Sequence, residues 1–304
     1  MFAKIYKGVD VPPPSHTGAR PRLSLTSDIL SYRHCSYQYG HFAHDGFVPA
    51  QSAQAFFGTI VHQVLDRCHR HFAGLVPGVP KGTMPTDADI KSFFDEVRTA
   101  LKSHGIRAVS DNVSARALEI IRFFNAVEGP TLYPLIHDTE FRLEQDRTDY
   151  VLRGVVDVLV DRPDATGGPA TREIWDYKGA KRPAASDKEL QEYEWQMCVY
   201  AELYKARSGA YPSKAVLYFL NELSEDNVKT GKRPARAVYE VEFTPKKVQE
   251  ALDRFHVTAT EIMACAAKSD WPLPKEKPKE ETCNICDLRW RCPKVAMQRR
   301  LPFA

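Results

Sequence analysis

The chain has 304 residues, 43% of them hydrophobic and 27% charged, with a formal net charge of +3. This is the composition of a soluble globular protein with room for one main core and a small appendage. No apolar run approaches the ~18 residues of a membrane-spanning helix, and the charge permits nucleic-acid binding without arguing for it.

Residues 1–22 hold Pro12, Pro13, Pro14 and Pro21 and no apolar signal core, which predicts an extended leader and a cytoplasmic protein. Apolar residues at helical spacing predict helices over 26–45, with N-caps among 24–27, and over 56–72. A Gly- and Pro-rich linker at 74–85 separates these from helices over 87–103 and 114–127. The period then changes. Short β-branched runs at 136–143, 150–160 and 173–178 predict a three-stranded meander. A helix over 187–205 follows, then strands at 215–220 and 237–243 around a Lys-rich loop predicted as an exposed hairpin tip. Pro245 opens a last helix to about 268, before a Pro-broken stretch and a Cys-rich tail. This order predicts an α/β core, a mixed central sheet flanked by helices.

In Asp176-Tyr-Lys178 the strand period puts both charged side chains on one face. Asp157 interrupts the apolar run Val155-Val-Asp-Val-Leu-Val160, where an unpaired carboxylate is costly unless a cation answers it. A hairpin sets the two acids side by side as hard oxygen ligands for Mg²⁺ or Mn²⁺, and Lys178 is placed to help deprotonate an attacking water. An isolated Asp-x-Lys is more often a structural ion pair. Its companions change that reading: Gly58-Thr-Ile-Val-His62 on an upstream helix and Gln196-Met-Cys-Val-Tyr200 on the helix that follows.

Together these residues resemble the RecB-family branch of the PD-(D/E)xK nucleases over about 25–292, which implies a restriction-endonuclease-like core with a helical insertion near 74–130. The resemblance implies metal ligands at His62, Asp157 and Asp176, a catalytic Lys178, and Gln196 and Tyr200 as supports of the substrate or the metal shell. Glu140 falls where relatives often carry a glutamate. Gly179 departs from the Thr or Ser that commonly follows the lysine.

Cys283-Asn-Ile-Cys286 and Cys292 form a CxxC-x5-C group that needs a fourth sulfur, from among Cys35, Cys68, Cys198 and Cys265. Cys198 lies within the Gln196–Tyr200 helix and Cys68 and Cys265 in amphipathic helices, so these three are expected to pack as small hydrophobes. One N-terminal cysteine with a distant CxxC-x5-C resembles the iron–sulfur subgroup of the same family, seen in AddB-type and CRISPR-adaptation exonucleases. The resemblance implies a four-iron, four-sulfur cluster on Cys35, Cys283, Cys286 and Cys292, with Ser36 where relatives usually carry proline. Ligand chemistry alone leaves zinc open.

Lys181, Arg182, Arg33, His34, Arg289, Arg291, Arg299 and Arg300 are candidate phosphate contacts, with Tyr32, Tyr37, Tyr39 and Trp290 among them as stacking or packing aromatics. The expected organisation is a leader at 1–22, a nuclease domain at 23–270, and a cluster-binding segment at 271–304 that closes on Cys35 as a cap. The expected activity is metal-dependent hydrolysis of DNA, as an exonuclease on single-stranded or end-exposed strands. Because no GxxxxGK[ST] motor motif is present, the rival reading is a non-catalytic, cluster-stabilised DNA-binding subunit of a helicase complex. A nuclease working with a helicase or defence-system partner is a third.

Overall fold

The computed structural model describes residues 20–45, 53–163, 170–274, 278, 280–284, 286–289 and 292–296. Most of the expected leader, together with Trp290, Arg291, Arg299 and Arg300, lies outside the described residues. In chain order the elements are β1 (Arg22–Ser24), a π-helical stretch (Leu25–Leu30), α1 (Ser31–His34), α2 (Ser36–Tyr39), a second π-helical stretch (Gly40–His44), α3 (Ala53–Phe72), α4 (Asp87–Ser103), α5 (Asp111–Val127) and α6 (Gly129–Leu132). There follow β2 (Ile136–Asp146), β3 (Val151–Arg162), β4 (Thr171–Lys178), α7 (Lys188–Ser208), β5 (Lys214–Phe219), α8 (Glu225–Thr230), β6 (Val238–Val241), α9 (Pro245–Lys268), α10 (Glu280–Asn284) and α11 (Pro293–Ala296). The chain forms two compact units, one of 51–143 with 154–248, the other of 1–50, 144–153 and 249–304.

In the first unit β4 lies between β3, which it pairs antiparallel (Val158 opposite Trp175), and β5, which it pairs parallel (Lys178 opposite Phe219). β6 adds antiparallel to β5. A parallel pair needs a crossover, which α7 supplies. The α/β class with a mixed, helix-flanked sheet is therefore as the residue pattern predicts. Val158, Val160, Trp175, Tyr177, Val216 and Tyr218 form one apolar core with residues of α3, α4 and α5, among them Ile60, Phe94 and Phe124. Strand alternation then turns Asp176 and Lys178 away from that core. β3 and α7 pack closely at Gly154, where a Cβ would stand 2.8 Å from Tyr200 Cε1 and 2.9 Å from Leu203 Cδ1.

The Lys-rich segment before β6 is not a bare hairpin tip: it contains α8, which opens on a capping box between Ser224 and Asn227. Reciprocal side-chain bonds to orphan backbone donors stabilise a helix whose composition alone looks like a loop.

In the second unit β1 pairs parallel with Val151–Arg153 at the start of β3. The helix expected over 26–45 is present but broken at Cys35, whose backbone is extended (φ −161°, ψ 100°). Ser24 caps it by accepting from Ser27 N, and Asp28 accepts from Ser24 N at 2.7 Å and from the Tyr39 hydroxyl at 3.0 Å. Tyr32 and Tyr39 are buried and meet Trp271 edge to face at 6.3 and 5.6 Å. These two tyrosines are packing residues, not stacking faces for bases.

Candidate functional site

Asp176 and Lys178 end β4, and the ammonium stands 2.6 Å from Asp176 Oδ2. α7 runs beneath them. Gln196 accepts from Lys178 Nζ through Oε1 at 2.8 Å, and its Nε2 donates to Asp176 Oδ1 at 3.0 Å and to the Tyr200 hydroxyl at 2.9 Å. One amide thus fixes both charged groups, and the i, i+4 spacing is what sets Gln196 and Tyr200 on the same face of α7. Asp176 is 3% exposed, and its Oδ2 has no hydrogen bond beyond the contact with Lys178.

The β3–β4 register is followed as far as Val158 opposite Trp175. At the next step the Tyr177 N–H donates to the side chain of Asp157, at 2.6 Å from Oδ2. The other Asp157 oxygen lies 3.5 Å from His62 Nδ1 on α3. His62, Glu140 and Asp157 each offer a ligand atom within 4.8 Å of the others. Glu140 sits in β2 with φ of 50°, a left-handed conformation that costs a non-glycine residue about 1 kcal/mol or more and is concentrated at functional sites.

The electrostatics are those of crowded acids. Burial opposes a charged His62, yet the Asp157 carboxylate, and after it Asp176 and Glu140, push the imidazole up to about 9. Burial also works against a charged Asp157, but the facing His62 and the Tyr177 N–H hold it below the usual carboxylate range. Asp176 is raised by burial and by Asp157 in spite of Lys178. Glu140, an exposed residue whose carboxyl is nonetheless crowded by protein, is raised to about 7 by desolvation and then by Asp157. Paired titratable groups displaced in this way mark candidate catalytic sites.

All six residues singled out on sequence, His62, Asp157, Asp176, Lys178, Gln196 and Tyr200, therefore lie in one unit and are linked by these contacts. Sequence reasoning misses Tyr193: its ring lies 4.4 Å from Lys178 Nζ, and its hydroxyl donates to Glu189 at 2.6 Å. The signal is there to be read, since Tyr193 precedes Gln196 by one turn of the same helix. His69, about two turns beyond His62 on α3, shows the contrast. It is buried, with the Tyr177 hydroxyl 3.5 Å from Nε2, and burial holds it down to about 3, a neutral core histidine. At Gly179 a Cβ would come within 3.0 Å of the Phe57 ring, so a Thr or Ser there would need Phe57 to shift.

In the other unit Cys35, Cys283, Cys286 and Cys292 line one cavity with Gln38 and Leu273, about 520 Å³ of empty volume counted out to its open mouth. Gln38 Nε2 donates to Cys286 Sγ at 3.3 Å. Burial and the neighbouring sulfurs raise the Cys35 and Cys286 thiols. Among the described residues no three of these sulfurs lie within 4.8 Å of one another. Cys68 and Cys198 are buried elsewhere, and Cys265 meets the Tyr32 hydroxyl at 3.5 Å, so none of the three lines this cavity.

A family model described as the PD-(D/E)XK nuclease superfamily matches residues 23–293. Among solved structures, the chain is similar to a "Putative exonuclease" from Eubacterium rectale at 12% identity, covering 93% of this chain and 90% of that one with a TM-score of 0.48. It is also similar to SSO0001 at 12% identity, covering 78% and 85% with a TM-score of 0.34. A search of curated proteins finds no match. No helix among the described residues is long and apolar enough to cross a membrane.

Proposed function

The chain belongs to the PD-(D/E)XK nuclease superfamily, and from that premise we propose that it is a divalent-metal-dependent deoxyribonuclease, an exonuclease on single-stranded or end-exposed DNA. One observation carries the reading: Lys178 is ion-paired to Asp176 and clamped by Gln196, in the same unit as the His62, Glu140 and Asp157 trio. Nucleases of this superfamily use divalent metals, and the donor set fits one. Carboxylates and an imidazole suit Mg²⁺ or Mn²⁺, and Asp176 Oδ2 is a buried oxygen that, among the described residues, is answered by the Lys178 ammonium and by no hydrogen bond.

In this reading His62, Asp157 and Asp176, with Glu140, hold the cation, which when bound acts as a Lewis acid and lowers the pKa of water. Lys178 orients the attacking water and offsets charge on the phosphate. Gln196 and Tyr200 hold Lys178 and Asp176 in register, the kind of positioning on which a 1 Å error costs roughly 100-fold in rate. Water gives up a proton to solvent as its oxygen forms the new P–O bond and the bond to the departing sugar oxygen breaks, and that oxygen takes up a proton from solvent as it leaves. Asp176→Ala or Lys178→Ala is expected to abolish cleavage of labelled strands while the thermal melt stays cooperative. Full activity in the purified double variant would overturn the assignment of these residues, whereas no cleavage by the parent protein with Mg²⁺ or Mn²⁺ would leave the non-catalytic DNA-binding reading in its place.

We further propose a four-iron, four-sulfur cluster on Cys35, Cys283, Cys286 and Cys292. The spacing of the sulfurs supports a group larger than one ion. A tetrahedral zinc with Zn–S of about 2.3 Å holds its sulfurs roughly 4 Å apart, closer than any three of these stand among the described residues. Anaerobically purified protein should show visible sulfur-to-iron absorption and contain iron. Colourless protein with stoichiometric zinc is the opposing result. The same proposal has the protein work in the cytoplasm, with a helicase or in a defence system.

A further inference from the structure

Because β4 and β5 are parallel with Lys178 opposite Phe219, the chain leaves both strands at the same edge of the sheet, into 179–187 and into 220–237. These two segments are bound together beside the site. Glu222 accepts from the Arg182 N–H at 3.0 Å and from Arg236 Nε at 3.2 Å. Arg236 also donates to the Arg182 carbonyl at 2.7 Å, and the Arg182 guanidinium lies 4.4 Å from the centre of the Tyr239 ring. What composition presents as a floppy tip is thus a folded insert, with α8 capped on itself and Arg233 anchored to the buried Glu128 at 3.3 Å.

The joined surface is basic. It carries Lys181, Arg182, Lys229, Lys232, Arg233 and Arg236 against Asp187, Glu222, Glu225 and Asp226, a surplus of two positive charges in fewer than a tenth of the residues, where the whole chain has a formal surplus of three. Two of the acids are occupied locally: Glu222 with Arg236, and Glu225 with Lys229 at 2.9 Å. Lys181 and Lys232 are exposed and have no acid at ion-pair distance among the described residues. A partner that neutralises such a surface carries regularly spaced, strongly acidic, solvent-exposed groups.

We infer that this insert, clamped to the segment that follows Lys178, is the track along which the phosphodiester backbone of the substrate strand passes to the cleavage site. The inference rests on the nuclease reading and names the surface that reading leaves open. Its test is binding by the full chain in EDTA, where nothing is cut, to labelled single-stranded and duplex oligonucleotides across a range of salt. Each phosphate of a single strand that the protein ceases to neutralise lowers the slope of log affinity against log salt by about 0.7. The triple variant Lys181→Ala, Lys229→Ala, Lys232→Ala is therefore expected to lower the slope by about 2, and the affinity near 0.1 M salt by on the order of 10- to 100-fold. A control pair on α4, Lys91→Ala with Lys102→Ala, should change neither. Weakened binding to one form of DNA only identifies the form the track holds, and a Lys→Gln version of the triple repeats the test should the alanine version melt early. An unchanged slope with affinity within twofold of the parent protein, on both forms, overturns the track. Binding that behaves as expected in a protein that never cleaves would keep the track and remove the nuclease.

Discussion

Gln196 is the residue on which the site turns, because an amide alone can accept from a lysine and donate to a carboxylate and a hydroxyl at once. Gln196→Leu leaves Asp176 and Lys178 in place but unheld, and kcat should fall by roughly 100-fold with KM for DNA little changed. Steady-state kinetics on a labelled strand decide it; a variant with parental kcat would reduce Gln196 to a packing residue. Tyr193 predicts a finer effect. Its ring, not its hydroxyl, faces the ammonium, so Tyr193→Phe should preserve activity while Tyr193→Leu loses an attraction of about 1 kcal/mol. His62 makes a prediction in pH. Raised to about 9 by its acidic neighbours, it is protonated in the metal-free protein at neutrality, whereas a metal-ligating imidazole must be neutral. Cation binding should therefore expel this proton, and apparent affinity should climb as pH rises, levelling off above about 9. Below about 7 the raised Glu140 adds a second proton to the release. The same shift gives the metal-free protein stability that is present below the unfolded value near 6.5 and lost as pH climbs through about 9. Calorimetric Mn²⁺ titration in two buffers of different ionisation heat counts the protons, and His62→Ala should remove one of them.

At the scale of elements, the parts of the site legible in the sequence are those that periodicity writes directly. Alternation puts Asp176 with Lys178 on one face of β4, and the four-residue step puts Gln196 with Tyr200 on one face of α7. Less legible are the features set by contacts across elements. The left-handed backbone of Glu140 lies inside a strand whose composition gives no hint of it. α8 depends on side-chain caps in a segment too polar to show a helical apolar stripe. The break at Cys35 interrupts a helix whose apolar spacing runs on through it. Gly154 is a contact feature of the same kind, and it links fold to function. With a Cβ there, β3 must push on Tyr200 and Leu203 of α7, an overpacking that costs about 1–3 kcal/mol and moves the helix that carries Gln196. Gly154→Ala should lower both Tm and kcat, where a substitution on the exposed side of α7 such as Gln191→Ala lowers neither appreciably. A normal kcat in a destabilised Gly154→Ala would separate the packing of α7 from the alignment of the amide.

At the scale of the whole molecule, the chain passes between its two units four times, at 50/51, 143/144, 153/154 and 248/249. Each unit is therefore discontinuous in sequence, and β2, β3 and α9 each belong to both. The four cysteines of the cavity lie on one unit but at opposite ends of the chain, with the whole of the other unit between them in sequence. Ligation that joins Cys35 to Cys283 would close a loop of roughly 250 residues, a constraint on the unfolded chain worth about 5 kcal/mol in the entropic account. Set against the 5–15 kcal/mol of total stability typical of folded proteins, such a link would be a large share of what keeps the units folded. The expected consequence is asymmetric. Removing the cysteine-bound metal with chelator under anaerobic conditions, or substituting Cys35→Ser, should lower Tm by about 10 °C, at some 2 °C per kcal/mol for a chain of this size. At temperatures well below that melt, cleavage with Mg²⁺ should persist, because His62, Asp157, Asp176 and Lys178 are held by contacts within their own unit. Paired thermal melts and low-temperature assays of loaded and stripped protein check both halves. A Tm that moves by less than about 2 °C would mean that the ligation does not bridge the chain's ends. Activity lost at every temperature together with the metal would give the cysteines a part in the reaction that the geometry of the site does not call for.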